Sequence, residues 1–207
     1  MLSIKQLKAM LVLQNAMNVK VNANWLELNR NWYLAAGMEG AEAIGHHGWK
    51  WWKHQQPDLP QLRMELVDIW HFILSQYLVD NSDKSFGAIA KKIRKDSVND
   101  SMRVEPLLQN MQEFTGDCFH RMFNLELFTL ICEQSSLSTN DLFKTYIGKN
   151  VLNIFRQDNG YKEGIYQKIW YGEEDNVHLE NILKLSDVNS ETFVDDIRTS
   201  LQRFYPG

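Results

Sequence analysis

Four acids in this chain lack the partners that acids usually have. Glu39 and Glu42 stand three residues apart in Trp32–Gly45 (WYLAAGMEGAEAIG) and are its only formal charges. Glu65 and Asp68 repeat that spacing in Met64–Val79 (MELVDIWHFILSQYLV), again as the only formal charges, with His71 titratable. Helical residues i and i+3 are about 60° apart, so each pair shares a face. Both segments are apolar nearly all round, which predicts burial. A buried, unpaired carboxylate is costly, and four together repel one another. Neither segment supplies a Lys or Arg. Solvent on an outward face, or cations from elsewhere in the fold, would satisfy a single pair. For two pairs in apolar helices, a hard divalent cation with oxygen ligands fits, and Mg²⁺ bridging to phosphate fits best. Two or more such ions could share Glu39, Glu42, Glu65 and Asp68, with Mn²⁺ as a substitute.

The elements that must position these acids read as helices almost throughout. Leu2, Ile4, Leu7, Met10, Leu11 and Leu13 predict a first helix running to about Met17. A second spans roughly Asn24 to Gly45, and His46 to Gln56 is a tryptophan-rich connection or short helix. Asp58 caps a third helix with Pro60 in its first turn, ending near Val79 at Asp80-Asn81-Ser82-Asp83. Ser85 to Ser97 is more basic, with Lys91, Lys92, Arg94 and Lys95. Helices follow near 101–115 and 119–134. Ser138 opens one that Asp158-Asn159-Gly160 closes after about Gln157. The last two fall near 174–185 and 190–204. No β pair, repeat or linker is expected. The fold class is all-α, a helical bundle forming one domain over 1–207.

The chain has 207 residues, 44% hydrophobic and 12% aromatic, enough for a packed core. A net charge of −4 argues against a general nucleic-acid or anionic-membrane binder. Cys118 and Cys132 lack metal-ligand spacing and read as reduced core thiols of a cytoplasmic protein. No uncharged apolar run approaches the ~20 residues of a membrane span. The amphipathic start lacks a signal-peptide cleavage site. Gly148-Lys149 lacks the preceding glycine of a phosphate loop, which disfavours a P-loop NTPase.

The spacing Glu39-x-x-Glu42, then Glu65-x-x-Asp68, resembles the metal motif of the all-α NTP pyrophosphatase superfamily, which includes MazG-like enzymes. GHHGWKWWK (Gly45–Lys53), ELVDIWHFILS (Glu65–Ser75) and YIGKNVLNIFRQDNGYKEGIYQKIW (Tyr146–Trp170) are similar to signatures of the dimeric dUTPase family. The resemblance covers about residues 10–80 and 140–176. It implies an intertwined all-α homodimer that hydrolyses dUTP, and dUDP, to dUMP with Mg²⁺, releasing pyrophosphate or phosphate. Glu39, Glu42, Glu65 and Asp68 would bind the metals, and Glu39 or Glu42 would orient or deprotonate the attacking water. Region 84–135 would supply dimer contacts or a cover over the nucleotide.

Within the last motif, Lys149, Arg156 and Lys162 are donors suited to phosphate oxygens, with Asn150 and Tyr161 adding hydrogen bonds. Lys149, Asn153 and Arg156 recur at i, i+4 and i+7 and can share one helix face. Lys50 could also reach a phosphate. For the base and sugar the resemblance implies Gln14, Asn18 and Trp49, with Asn153 and Gln157 nearby. Two rival readings stay open. One is the same chemistry with another base preference, such as dCTP. The other is a non-catalytic helical nucleic-acid or membrane binder, with Trp49, Trp51 and Trp52 beside Lys50 and Lys53 as its patch.

Overall fold

Short polar residues set the starts of most helices. In the computed structural model, which describes residues 1–98, 105–188, 190 and 192–207, Ser3 opens α1 (Ile4–Val21) in a reciprocal capping box with Gln6. Asn31 caps α2 (Trp32–His47), and Asp58 caps α3 (Leu59–Asp80), with Pro60 in its first turn. Ser85 opens α4 (Phe86–Asp96), and Pro106 precedes α5 (Leu107–Phe119). Asn124 and Ser138 cap α6 (Leu125–Gln134) and α7 (Thr139–Asp158). Each capping side chain accepts a backbone N–H that the first turn would otherwise leave unpaired. Two further helices, α8 (Asp175–Leu185) and α9 (Phe193–Phe204), complete the described elements.

The all-α expectation holds, with corrections at its edges. The helix expected from Asn24 is broken: Trp25–Glu27 is a short 3₁₀ turn, Asn29 takes a positive φ, and α2 starts only after Asn31. Three asparagines with left-handed or capping tendencies explain the interruption. The first helix runs on past Met17 to Val21, because Met17 and Asn18 are still core-facing. The helix expected over 101–115 begins, among the described residues, at Leu107; positions 101–104 lie outside them. A β pair does exist. Ile169–Trp170 (β1) pairs antiparallel with Glu173–Glu174 (β2) around Tyr171 and Gly172. Both turn residues have positive φ, the condition a type I′ turn sets.

α2 lies mainly on α3 and α5, α1 packs on α3, α4 and α7, and α7 carries α8 and α9. The core between them is apolar and buried. Trp70 stacks on Phe128 and donates from Nε1 to Met10 Sδ. Leu62, Leu66, Ile69 and Ile73 form the buried stripe of α3. Cys118 and Cys132 are free, buried thiols, and burial raises both pKa values, that of Cys118 to about 12. Among the described residues no helix is long and apolar enough to cross a membrane.

Close approach of α2 to α5 depends on glycine. A methyl group at Gly40 would stand 2.5 Å from Thr115 Oγ1, a hydroxyl already donating to Met111 O. One at Gly45, on the same helix, would meet nothing within 4 Å. Gly45→Ala should therefore raise stability by about 0.5–1 kcal/mol through helix propensity. Gly40→Ala should lower it by about 1–3 kcal/mol through overpacking. Midpoints of denaturant unfolding measure both, and equal effects of the same sign would refute the packing account.

Candidate active site

The α2–α3 contact brings the two acid pairs together. One carboxylate oxygen each from Glu39, Glu42 and Glu65 lies within 4.8 Å of the others. Glu65 is only 9% exposed. Burial, then the charges of Asp68 and Glu65, raise the Glu39 carboxyl to about 8. Burial and Asp68 push Glu65 to about 7, against the pull of a hydrogen bond with Glu39 and the Lys149 charge.

Asp68 behaves differently, and the expectation of a quartet without basic partners needs correction here. Its Oδ2 receives the Lys149 ammonium at 2.8 Å, and that side chain is 3% exposed. His46 Nε2 stands 3.5 Å from Glu65 Oε1. The physical reason is that α7 crosses α3 at this point and buries its own lysine, which needs a carboxylate as much as Asp68 needs a cation. Glu39 and Glu42 have no Lys or Arg partner among the described residues.

The acids line a cavity of about 590 Å³ that basic residues line as well. Lys149, Arg156 and Lys168 are these residues, each paired with a carboxylate (Asp68, Asp175 and Glu174), with the half-exposed Tyr161 beside Arg156. Arg156 is held by a bidentate pair with the fully buried Asp175, Nε and Nη2 each donating at 2.8 Å. Burial alone would raise the Asp175 carboxyl; the Arg156 hydrogen bonds and charge outweigh it and hold it below its usual range.

Beneath the cavity runs a buried polar chain. Gln14 Oε1 lies 2.8 Å from His71 Nδ1 and accepts from Tyr146 Oη at 2.9 Å. Gln14 Nε2 donates to Asn18 Oδ1, and Asn18 Nδ2 to Ser75 Oγ. His71 stacks on Tyr146, and burial lowers its pKa to about 4. His71 Nε2 and both side-chain heteroatoms of Asn150 are buried with no hydrogen-bond partner. Gln14 and Asn18 are thus interior residues, tied to α3 and α7.

Other expected positions do not line the cavity. Trp49 is 45% exposed in the loop after α2, packed edge-on against Trp52, with the Lys50 ammonium 5.8 Å from its ring centre. That loop is closed at its base by Asp58 N–H donating to His46 O. Lys162 is exposed. Asn153 accepts from Arg156 Nη1, and Gln157 sits half-buried on the same helix. Sequence reasoning missed His46, Gln61, Lys168 and Asn176 in the lining. His46 was findable, since it follows Glu42 at i+4. Asp175 and Asn176 sent no signal beyond an acid-amide pair where a helix could begin.

A helical bundle that brings a carboxylate cluster and three basic side chains to one cavity has the make-up of a hydrolase acting on phosphoanhydrides. The chain matches the dUTPase family over residues 6–161 and belongs to that family; its activity is that of a dUTP diphosphatase. No curated protein matches it. The family match ends at Tyr161, before the β1–β2 hairpin and α8.

Glu39 and Glu65 both bind protons more tightly in the folded chain than their ordinary value of 4.5. The stability that protonation adds is complete below about pH 4.5 and lost as pH rises through about 7 and 8. Metal-free protein should therefore lose roughly 3–6 °C in Tm across this window, an effect discounted for solvent in the cavity. Glu39→Gln should lose distinctly less. Thermal melts at a series of pH values check this, and a wild-type Tm that rises over the window contradicts it.

Proposed function

We propose that the cavity hydrolyses dUTP, and also dUDP, by in-line attack of water, with Mg²⁺ held by Glu39, Glu42 and Glu65 and joined by Asp68. The observation that carries the metal assignment is the carboxylate triad within 4.8 Å, in which burial first, then neighbouring acid charge, raises Glu39 to about 8 and Glu65 to about 7. Hard oxygen donors, a solvent-accessible cavity and unrelieved repulsion suit Mg²⁺ better than a softer ion. Bound there, Mg²⁺ would neutralise phosphate oxygens and acidify water.

The chain's own groups take the remaining parts. Glu39 or Glu42 suits the role of orienting the attacking water or accepting its proton. Lys149, Arg156 and Tyr161 offer donors to phosphate oxygens, with Lys168 from the hairpin. Lys50, Lys162 and Trp49 lie on exposed segments and would have to move to touch the nucleotide. The base is assigned to the buried chain beneath. An amide offers one donor and one acceptor, the complement of the uracil N3–H and O4 edge, and Gln14, Asn18 and Asn150 bring amides to this chain. Gln14, held by His71, Tyr146 and Asn18, lies along the same chain.

A homodimer is part of the reading. Leu34 and Met38 are exposed at i and i+4 on α2, as are Phe119 at the end of α5 and Met122 after it. Phe119 leans on Gly37, which brings its exposed ring onto the α2 surface.

Turnover of the deoxynucleoside triphosphates with and without Mg²⁺ tests the whole reading. Glu42→Gln and Asp68→Asn should each lower kcat by roughly 10²–10³-fold with unchanged circular dichroism. Mg²⁺ should raise Tm more at about pH 8.5 than at about pH 6, since it competes with protons for the same carboxylates. Metal-independent turnover would sink the metal assignment, and dCTP turning over faster than dUTP would sink the base assignment.

A further inference from the structure

Arg156 reaches the cavity with nearly all its donors already engaged. A guanidinium carries five N–H groups in a fixed fork. Nε donates to Asp175 Oδ2 at 2.8 Å. Nη2 donates to Asp175 Oδ1 at 2.8 Å and to Asn176 Oδ1 at 3.3 Å. Nη1 donates to Asn153 Oδ1 at 3.1 Å. One N–H remains, on Nη1, and the plane that carries it is fixed by four bonds.

The group that fixes it is built for the purpose. Asp175 is fully buried in the first turn of α8, where the helix dipole favours a carboxylate. It also accepts the Tyr166 hydroxyl at 2.8 Å, and its own N–H donates to Lys168 O at the foot of the hairpin. Its neighbour Asn176 lines the cavity, and Asn176 Oδ1 accepts from Lys149 Nζ at 3.2 Å as well as from Arg156. Two consecutive residues thus hold both α7 cations that face the acids. The Arg156–Asp175 pair is formally neutral, so what it offers a ligand is direction: one oriented donor in place of a free charge.

We propose that Asp175 and Asn176, which lie beyond the family match, are positioning residues: they aim Arg156, and with it Lys149, so that the remaining Nη1–H meets a phosphate oxygen of the nucleotide. This rests on the reading of Arg156 as a phosphate ligand. It makes the hairpin and α8 part of the catalytic apparatus rather than a C-terminal appendage.

A double-mutant cycle on the full chain separates the two layers, with dUTP turnover and Tm read for each variant. Arg156→Gln should lower kcat/KM roughly 100-fold. Asp175→Asn should lower it roughly 10-fold or more, and the Asp175→Asn/Arg156→Gln double variant should be within about 3-fold of Arg156→Gln alone, because Asp175 acts only through Arg156. Asn176→Ala, a milder change at a half-buried position, should lower kcat/KM roughly 10-fold at unchanged Tm and decides the matter should Asp175→Asn fail to fold. Losses that multiply in the double variant overturn the proposal, as does wild-type kcat/KM in Asn176→Ala. Wild-type kcat/KM in Arg156→Gln removes the phosphate-ligand reading and the inference with it. Impairment of Arg156→Gln alone removes only the inference.

Discussion

Like charges pressed together at the α2–α3 contact are the constraint around which the site is organised. Two helices that are apolar on nearly every other face each contribute an acid pair to one small volume. Glu39 and Glu65 are largely withdrawn from water there, which favours their protonated forms, whereas Glu42 is exposed. The core can hold such a cluster because α3 is anchored elsewhere. Its Leu62–Leu66–Ile69–Ile73 stripe is buried, and Trp70 stacks on Phe128. Apolar packing thus offsets an electrostatic arrangement that would not assemble by itself, the usual sign of a site shaped for function.

Lys149 shows how the chain handles part of that repulsion internally. A buried ammonium is as costly as a buried carboxylate, and each resolves the other at 2.8 Å. The quartet is therefore two kinds of acid. Asp68 is neutralised from α7, whereas Glu39 and Glu65 are left to bear the cost of burial beside an exposed Glu42. Breaking the Lys149 pair would leave both charges uncompensated at once, which couples the α7 cation to the α3 acid.

The acid pairs were legible because helical periodicity is local: i, i+3 spacing and the apolar surroundings both lie within a few residues of each other. The Ser138 cap and the Asp58-x-Pro60 start were legible for the same reason. What escaped depends on distance or on backbone exceptions. Asp68 meets Lys149 and Gln14 meets His71 only through the crossing of helices far apart in sequence. The hairpin escaped because its strands are two residues long and place a tyrosine, Tyr171, at positive φ where asparagine or glycine is the usual marker. The break before α2 escaped because Asn24, Asn29 and Asn31 interrupt a segment whose hydrophobic pattern continues through them.

The segment beyond Tyr161 bears on how far a site extends past the motif that reveals it. Phe155, Tyr166, Trp170 and Tyr205 pack as a chain of aromatic contacts that ties α7, the hairpin and α9 together. His178 stacks on the fully buried Trp170 and bonds its carbonyl, which seats α8 against the hairpin. Without that cluster the first turn of α8 would have no fixed place, and Asp175 would have no reason to stand fully buried against a guanidinium. A residue can be required at an active site because it holds the geometry of another, and such residues carry no spacing rule of their own. Their signature is the one seen at Asp175: a buried charge whose two oxygens accept from Arg156, a residue of the cavity lining, and from Tyr166.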